Sequence, residues 1–258
     1  MVPNISPFLL NAFSRYAAWY VPRHFHAVRL LAASGPPAVD ERPVVVYLNH
    51  PSWWDPLVCL LLVRRFWPDR KHYAPIDAVA IRRYRFFQRL GFFGVEQNTA
   101  AGSLAFLRTA RAVLEQPAAM LWVTAQGQFT DVRRRPIALR PGLGHLLRHV
   151  GSALVVPLAV EYCFWDERHP EALVAFGEPI DISSGQSRRP AEWTALLEQR
   201  LDQTASLLAA AAMSRDPSQF VTLHSGRAGV SFVYDLWLRT KALASGRPYH
   251  REHGAGMR

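Results

Sequence analysis

The stretch from Val44 to Pro56, Val-Val-Val-Tyr-Leu-Asn-His-Pro-Ser-Trp-Trp-Asp-Pro, constrains the fold of this chain more than any other. Three β-branched residues in a row, Val44 to Val46, favour an extended backbone. A continuous apolar run, rather than an alternating one, suits a strand buried on both faces. The run stops at Asn49 and His50; Pro51 supplies a turn and Ser52 a helix cap, and an apolar helix from Trp53 to Trp67 is expected before Pro68. A buried strand feeding directly into a helix is the unit of a parallel sheet, so the predicted class is α/β, a mixed central sheet flanked by helices. His50 then sits at the carboxyl end of a strand, where loops and helix amino termini converge and ligands bind.

His50 and Asp55 are five residues apart across this corner. That spacing lets the carboxylate fold back onto one imidazole nitrogen, fix the tautomer and stabilise the imidazolium, leaving the other nitrogen as a general base. No Gly-x-Ser-x-Gly elbow occurs in the chain, so the attacking hydroxyl has to come from a substrate. His72 and Asp77 repeat the spacing, but the residues between them read as a short strand, and this pair is taken as a decoy. The plain alternative for His50 and Asp55 is a helix-capping carboxylate beside an incidental histidine.

The rest of the chain completes the sheet and its helices. Amphipathic helices broken at Pro22 are expected over residues 7–33, with Phe8, Leu9, Phe13, Tyr16, Trp19 and Tyr20 at an interface. A proline-rich connection, Ser34 to Pro43, precedes the central strand. Further strands are expected at His72 to Ile76, Gly94 to Glu96, Met120 to Thr124, Ala153 to Tyr162 and Leu173 to Phe176. Helical segments are expected at Ala78 to Leu90, Gly102 to Leu114, Pro141 to Val150 and Ala191 to Met213, with a linker over Ser183 to Pro190. Met120 to Thr124 opens into Ala125-Gln126-Gly127-Gln128-Phe129-Thr130, a second corner expected beside the first, where N–H groups near Gly127 can face an oxyanion. His145 and His149 are four apart but frame Leu146 where a zinc protease needs Glu, and no metal site is expected. The organisation predicted is a single domain: amphipathic membrane-associating helices over 1–34, an α/β core over 35–182, a helical part over 183–244 and a flexible tail over 245–258.

Charge decides between partners. Lys and Arg number 30 against 20 Asp and Glu, a net charge of +10, and Lys71 and Lys241 are the only lysines. Such a balance fits a polyanion, either nucleic acid or an anionic membrane surface. Arginines here are interleaved with Phe, Trp, Tyr and Leu, most densely at Arg82, Arg83, Arg85 and Arg89, and no helix-turn-helix, zinc-finger or RNP motif occurs, so the membrane surface is the expected partner and nucleic acid is not. Cys59 and Cys163 lie in apolar contexts and read as reduced core residues. No apolar run reaches the roughly 18 to 20 residues of a membrane span, and the amino terminus shows no secretory signal, which places the expected location at the cytoplasmic face of the cell membrane, peripheral or monotopic.

Taken in order, four blocks resemble the glycerolipid acyltransferases of the lysophosphatidate, PlsC-like type. Asn49-His50-Pro51-Ser52-Trp53-Trp54-Asp55 matches that family's Asn-His-x-Ser-x-x-Asp signature. Ala125-Gln126-Gly127-Gln128-Phe129 stands where the family has Pro-Glu-Gly-Thr-Arg, and Val155-Val156-Pro157-Leu158-Ala159-Val160 resembles its late valine-proline strand, followed by Phe176-Gly177-Glu178-Pro179-Ile180. The second block departs: Gly94-Val95-Glu96-Gln97-Asn98 lacks the arginine that the family sets against the acceptor's phosphate, and Gln126 and Phe129 replace an acid and an arginine in the third. The resemblance covers about residues 43 to 182.

What it implies is an O-acyltransferase without metal or redox cofactor. His50 would deprotonate a hydroxyl of a lipid acceptor, whose oxygen attacks the thioester of acyl-CoA or acyl carrier protein, while Asp55 orients His50. Backbone N–H groups near Gly127 or the Gln126 amide would hold the oxyanion, and Gln97, Gln126, Gln128, Phe129 and one of Arg133, Arg134 or Arg135 would read the acceptor, with Arg133 put first. The acceptor is a lysophospholipid or a lipid without phosphate. A non-catalytic lipid-binding protein of the same fold remains the alternative, and thioester hydrolysis is a further enzymatic one.

Overall fold

The valines do form a strand, and it lies inside the sheet. The computed structural model describes residues 2–183 and 188–227; the tail expected over 245–258 and the middle of the linker lie outside the described residues. In chain order come α1 (Pro7–His24), β1 (Ala27–Leu31), β2 (Val44–Leu48), α2 (Asp55–Phe66), β3 (Lys71–Asp77), α3 (Ala78–Arg83) and a 3-10 turn (Arg85–Leu90). β4 (Phe92–Val95), α4 (Ala100–Leu114), β5 (Ala119–Thr124), α5 (Gly142–Leu147) and β6 (Ala153–Cys163) follow. β7 (Glu171–Phe176), β8 (Ile180–Ile182), α6 (Pro190–Ser214) and β9 (Phe220–Ser225) complete the described chain.

The described strands make one nine-stranded sheet in the order β4-β3-β5-β2-β6-β7-β1-β9, with β8 on β6. β2 runs parallel to both neighbours, Val46 pairing with Trp122 on β5 and Val156 on β6. β3 and β4 extend this parallel half, whereas β7 and β8 return antiparallel along the same edge of β6. Each face of β2 is covered. Val45 and Tyr47 join the core beneath α4, α5 and α6, while Val44, Val46 and Leu48 join the core beneath α1 and α2. All five residues of β2 are at most 1% exposed, which is why its sequence shows no alternation. At about 1.5–3 kcal/mol for each large apolar side chain buried, this strand is among the costliest to perturb.

The amino-terminal segment differs from expectation. One helix, α1, runs through Pro22, and the segment expected to form a second helix is strand β1, parallel to β7 and antiparallel to β9. Pro22 lies in the last turn, so the one helical bond it removes is that to the Ala18 carbonyl four residues back. His224 on β9 takes that carbonyl instead, Nε2 to O at 3.1 Å. Arg29, the charge that made β1 look amphipathic, is neutralised on β7 by Glu171, Nε to Oε2 at 2.9 Å. Among the described residues no helix is long and apolar enough to cross a membrane.

Candidate active site

Leu48 and Thr124 pair at the ends of β2 and β5, so the two corners leave the sheet side by side. Ala125 N–H donates to the Leu48 carbonyl at 3.1 Å, one residue beyond the ladder. The His50 backbone is then held from both directions: its N–H donates to Gln126 Oε1 at 2.9 Å, and its carbonyl accepts from Thr130 N–H at 2.9 Å. On the other side, buried Asn49 replaces a missing rung to β6, donating to the Val160 carbonyl and accepting from Val160 N–H, both at 2.8 Å. A side-chain amide can do this because it carries the same donor and acceptor as a peptide group.

Asp55 opens α2 and is 1% exposed. Its Oδ2 lies 2.6 Å from His50 Nδ1 and also accepts from Ser52 N–H at 3.3 Å, while Oδ1 accepts from the Tyr162 hydroxyl at 2.7 Å. A carboxylate only accepts, so Nδ1 carries the hydrogen and Nε2 has the lone pair; among the described residues Nε2 has no hydrogen-bond partner. Ser52 does not cap α2 as expected. Its hydroxyl accepts from Trp54 N–H at 3.3 Å within the turn, and the residue before the helix, Trp54, makes no side-chain cap. The Asp55 carboxylate supplies the negative charge at the helix start. Burial, and then the Asp55 charge, push the Tyr162 hydroxyl well above the usual phenol range, so it stays a neutral donor. The same two causes push the Cys59 thiol up, and neither cysteine is disulfide-bonded.

His72 sits elsewhere. Its Nε2 donates to the Trp67 carbonyl at 2.8 Å, its Nδ1 accepts from Trp122 Nε1 at 3.1 Å, and burial lowers its pKa to about 4. Asp77 instead caps α3 through Val79 N–H at 2.7 Å. The two His-x-x-x-x-Asp matches thus divide into one pair in contact and one apart.

The second corner forms one wall of a small, open recess lined by Gln126, Gln128, Thr130, Arg134, Pro136 and Ala138. Phe129, on the same loop, is 61% exposed, its ring centroid 4.4 Å from that of His50. Gly127 has φ +66, a conformation L side chains rarely adopt, and a Cβ there would meet Arg140 Nε at 2.3 Å. Its own N–H donates to the Thr124 carbonyl at 2.9 Å and closes the turn, so any oxyanion contact near Gly127 falls to the neighbouring N–H groups. The Gln126 side-chain amide is a further donor at this corner: its oxygen is on His50, and its NH₂ has no partner among the described residues. Arg133 is drawn onto Asp131, NH2 to Oδ2 at 2.6 Å, and Arg135 pairs with Asp202 at 3.0 Å, which leaves Arg134 as the arginine lining the recess. Gln97 is exposed beyond β4, three strand places from β2, roughly 14 Å at ordinary strand spacing. Among the described residues no group of three or more His, Cys, Asp or Glu is placed to hold a metal ion.

Sequence reasoning missed Tyr162, the bridging role of Asn49 and the crossing of Gly127 by Arg140. Tyr162 and Asn49 act through β6, and no local pattern says that β6 is the neighbour of β2.

No family model matches the chain, and no curated protein matches it significantly. Among solved structures the chain is similar to the crystal structure of the 1-acyl-sn-glycerophosphate (LPA) acyltransferase, PlsC, from Thermotoga maritima, with 15% sequence identity, 79% of this chain and 80% of that chain covered, and a TM-score of 0.49.

Proposed function

We propose that the chain is an O-acyltransferase that moves a fatty acyl group from acyl-CoA or acyl carrier protein to a hydroxyl of a lipid acceptor. The observation that carries the reading is the 2.6 Å hydrogen bond between Asp55 and His50 Nδ1 at the end of β2, which leaves Nε2 as a base with no serine needed. Nε2 takes the proton of the acceptor hydroxyl as its oxygen attacks the thioester carbonyl carbon. The oxyanion is stabilised by the Gln126 amide N–H, whose side chain is already fixed through His50 N–H. The C–S bond then breaks, and the imidazolium returns its proton to the departing sulfur. No step needs a metal or redox cofactor. The acceptor lies in the recess, where Gln126, Gln128 and Thr130 offer neutral polar contacts and Arg134 a cation.

The acceptor and donor meet the site at an anionic membrane surface. Supporting this is a chain of aromatic rings from the 3-10 turn across α1 to the corner: Phe86 and Phe13 at 6.2 Å, Tyr16 and Tyr20 at 5.2 Å, Tyr20 and Trp54 at 5.5 Å, Trp54 and Trp53 at 4.4 Å. Phe8, Trp19 and Trp53 on this side are more than half exposed, and arginines accompany the rings, Arg23 over Trp19 and Arg83 over Tyr84. This face binds at the cytoplasmic side of the cell membrane without spanning it. The reading is tested by incubating purified protein with labelled acyl-CoA or acyl carrier protein and a lipid extract. An acylated lipid is expected, and its yield should fall about 10²–10³-fold in kcat for Gln126→Met, which removes the oxyanion donor. Free fatty acid in place of acylated lipid, from both donors, would contradict it.

A further inference from the structure

Asp55 accepts from three donors, and they are unevenly shared. His50 Nδ1 and Ser52 N–H both fall on Oδ2, whereas Tyr162 alone, among the described residues, serves Oδ1. A carboxylate this deeply buried needs both oxygens hydrogen-bonded, and a donor on Oδ1 fixes its plane beyond what the two donors on Oδ2 do. Tyr162 comes from β6, 107 positions further along the chain, two residues past the Val160 that bridges to Asn49. β6 therefore grips the corner at two points, one on each side of His50 in the sequence. The Tyr162 ring is itself packed on Phe25, with centroids 5.5 Å apart. Among the described residues its hydrogen bond goes to Asp55 and its ring contact to Phe25, with neither made to His50 or to a recess-lining residue.

We infer that Tyr162 is a positioning residue: by donating to Asp55 Oδ1 it sets the direction of the carboxylate and limits how strongly Asp55 holds the imidazolium of His50. The inference rests on the proposed role of His50 as base. A donor on a carboxylate lowers its affinity for a proton, and Oδ2 is the poorer acceptor for the bond on Oδ1. Without that bond, Asp55 pulls harder on Nδ1–H, the imidazolium is held to higher pH, and the free base is available only there. With it, the pair is tuned to release the proton to the departing thiolate. The hydroxyl stays protonated throughout, so its action is one of geometry and charge, with no proton transferred.

Tyr162→Phe in the full chain keeps the ring and removes the bond. The acid limb of its kcat/KM profile should move up by about half to one pH unit, with kcat reduced several-fold and KM for the donor unchanged. The low-field proton signal of His50 Nδ1–H, identified by its absence in His50→Gln, should move further downfield without any substrate present. Fluorinated tyrosine placed at position 162, a stronger donor in an almost unchanged shape, should move the limb the opposite way. Phe25→Leu, which loosens the same ring but keeps the hydroxyl, should lower the melting temperature and leave the limb in place. A wild-type limb and signal in Tyr162→Phe overturn the inference, as does an equal shift in Phe25→Leu. Retained acyl transfer in His50→Ala would instead remove the base role, while the substrate-free signal still reports on the Tyr162 bond.

Discussion

Spacing alone does not separate His50 from His72; the strand read between His72 and Asp77 set that pair aside, and the surroundings of the two rings keep them apart. His50 keeps one nitrogen toward the open corner, whereas both nitrogens of His72 are bonded within the core. Burial lowers His72 to about 4, from about 6.5 in an unfolded chain. Between those values the unfolded state binds the proton that the folded state refuses, so stability rises with pH from about 4 to about 6.5 and is constant above. Chemical denaturation of wild type should therefore show a loss of roughly 3 kcal/mol as pH falls across that window, and His72→Gln a much flatter curve. At Gly127, in the loop that fixes His50, a methyl group would meet the flexible side chain of Arg140. Gly127→Ala forces both a strained φ and a displaced Arg140, and should cost about 1–3 kcal/mol together with a fall in acyl transfer, measured by melting and by product formation on one preparation.

Elements show where local sequence suffices. β2, β5, β6, α4 and α6 were readable to within a few residues because their periodicity and end signals are local. β1 and β9 were not: β1 looks amphipathic until Glu171 answers Arg29, and β9 exists as the partner that covers the β1 edge. The His50–Asp55 contact was legible because five residues across a strand-to-helix corner can hardly avoid it, while the choice of Arg134 over Arg133 depended on Asp131, two positions from Arg133, capturing its neighbour first. The joint between α1 and β9 gives this a test. His224→Ala leaves the Ala18 carbonyl, already deprived of its helical donor by Pro22, with no partner, and should lower stability by about 1–2 kcal/mol with faster hydrogen exchange in β1 and β9 than in β2.

At the scale of the molecule, the sheet sets the two corners side by side and α1 lays aromatic rings beside them, so the proposed lipid-facing rings and the proposed base lie close together in the fold. Phe8→Ser, Trp19→Ser and Phe86→Ser combined should reduce flotation with anionic vesicles about tenfold or more while leaving transfer to a detergent-dispersed acceptor intact, and raised salt should weaken the wild-type interaction. The central claim is that His50, oriented by Asp55, draws the proton from an acceptor hydroxyl. The most direct measurement is thiol release from a long-chain acyl-CoA, and in parallel from acyl carrier protein, by wild type, His50→Ala, Asp55→Asn and His72→Ala offered lipid acceptors with and without phosphate. Acceptor-dependent release that falls at least about 10²-fold in His50→Ala and Asp55→Asn, and survives in His72→Ala, is the predicted result. Release that persists undiminished in His50→Ala would contradict it.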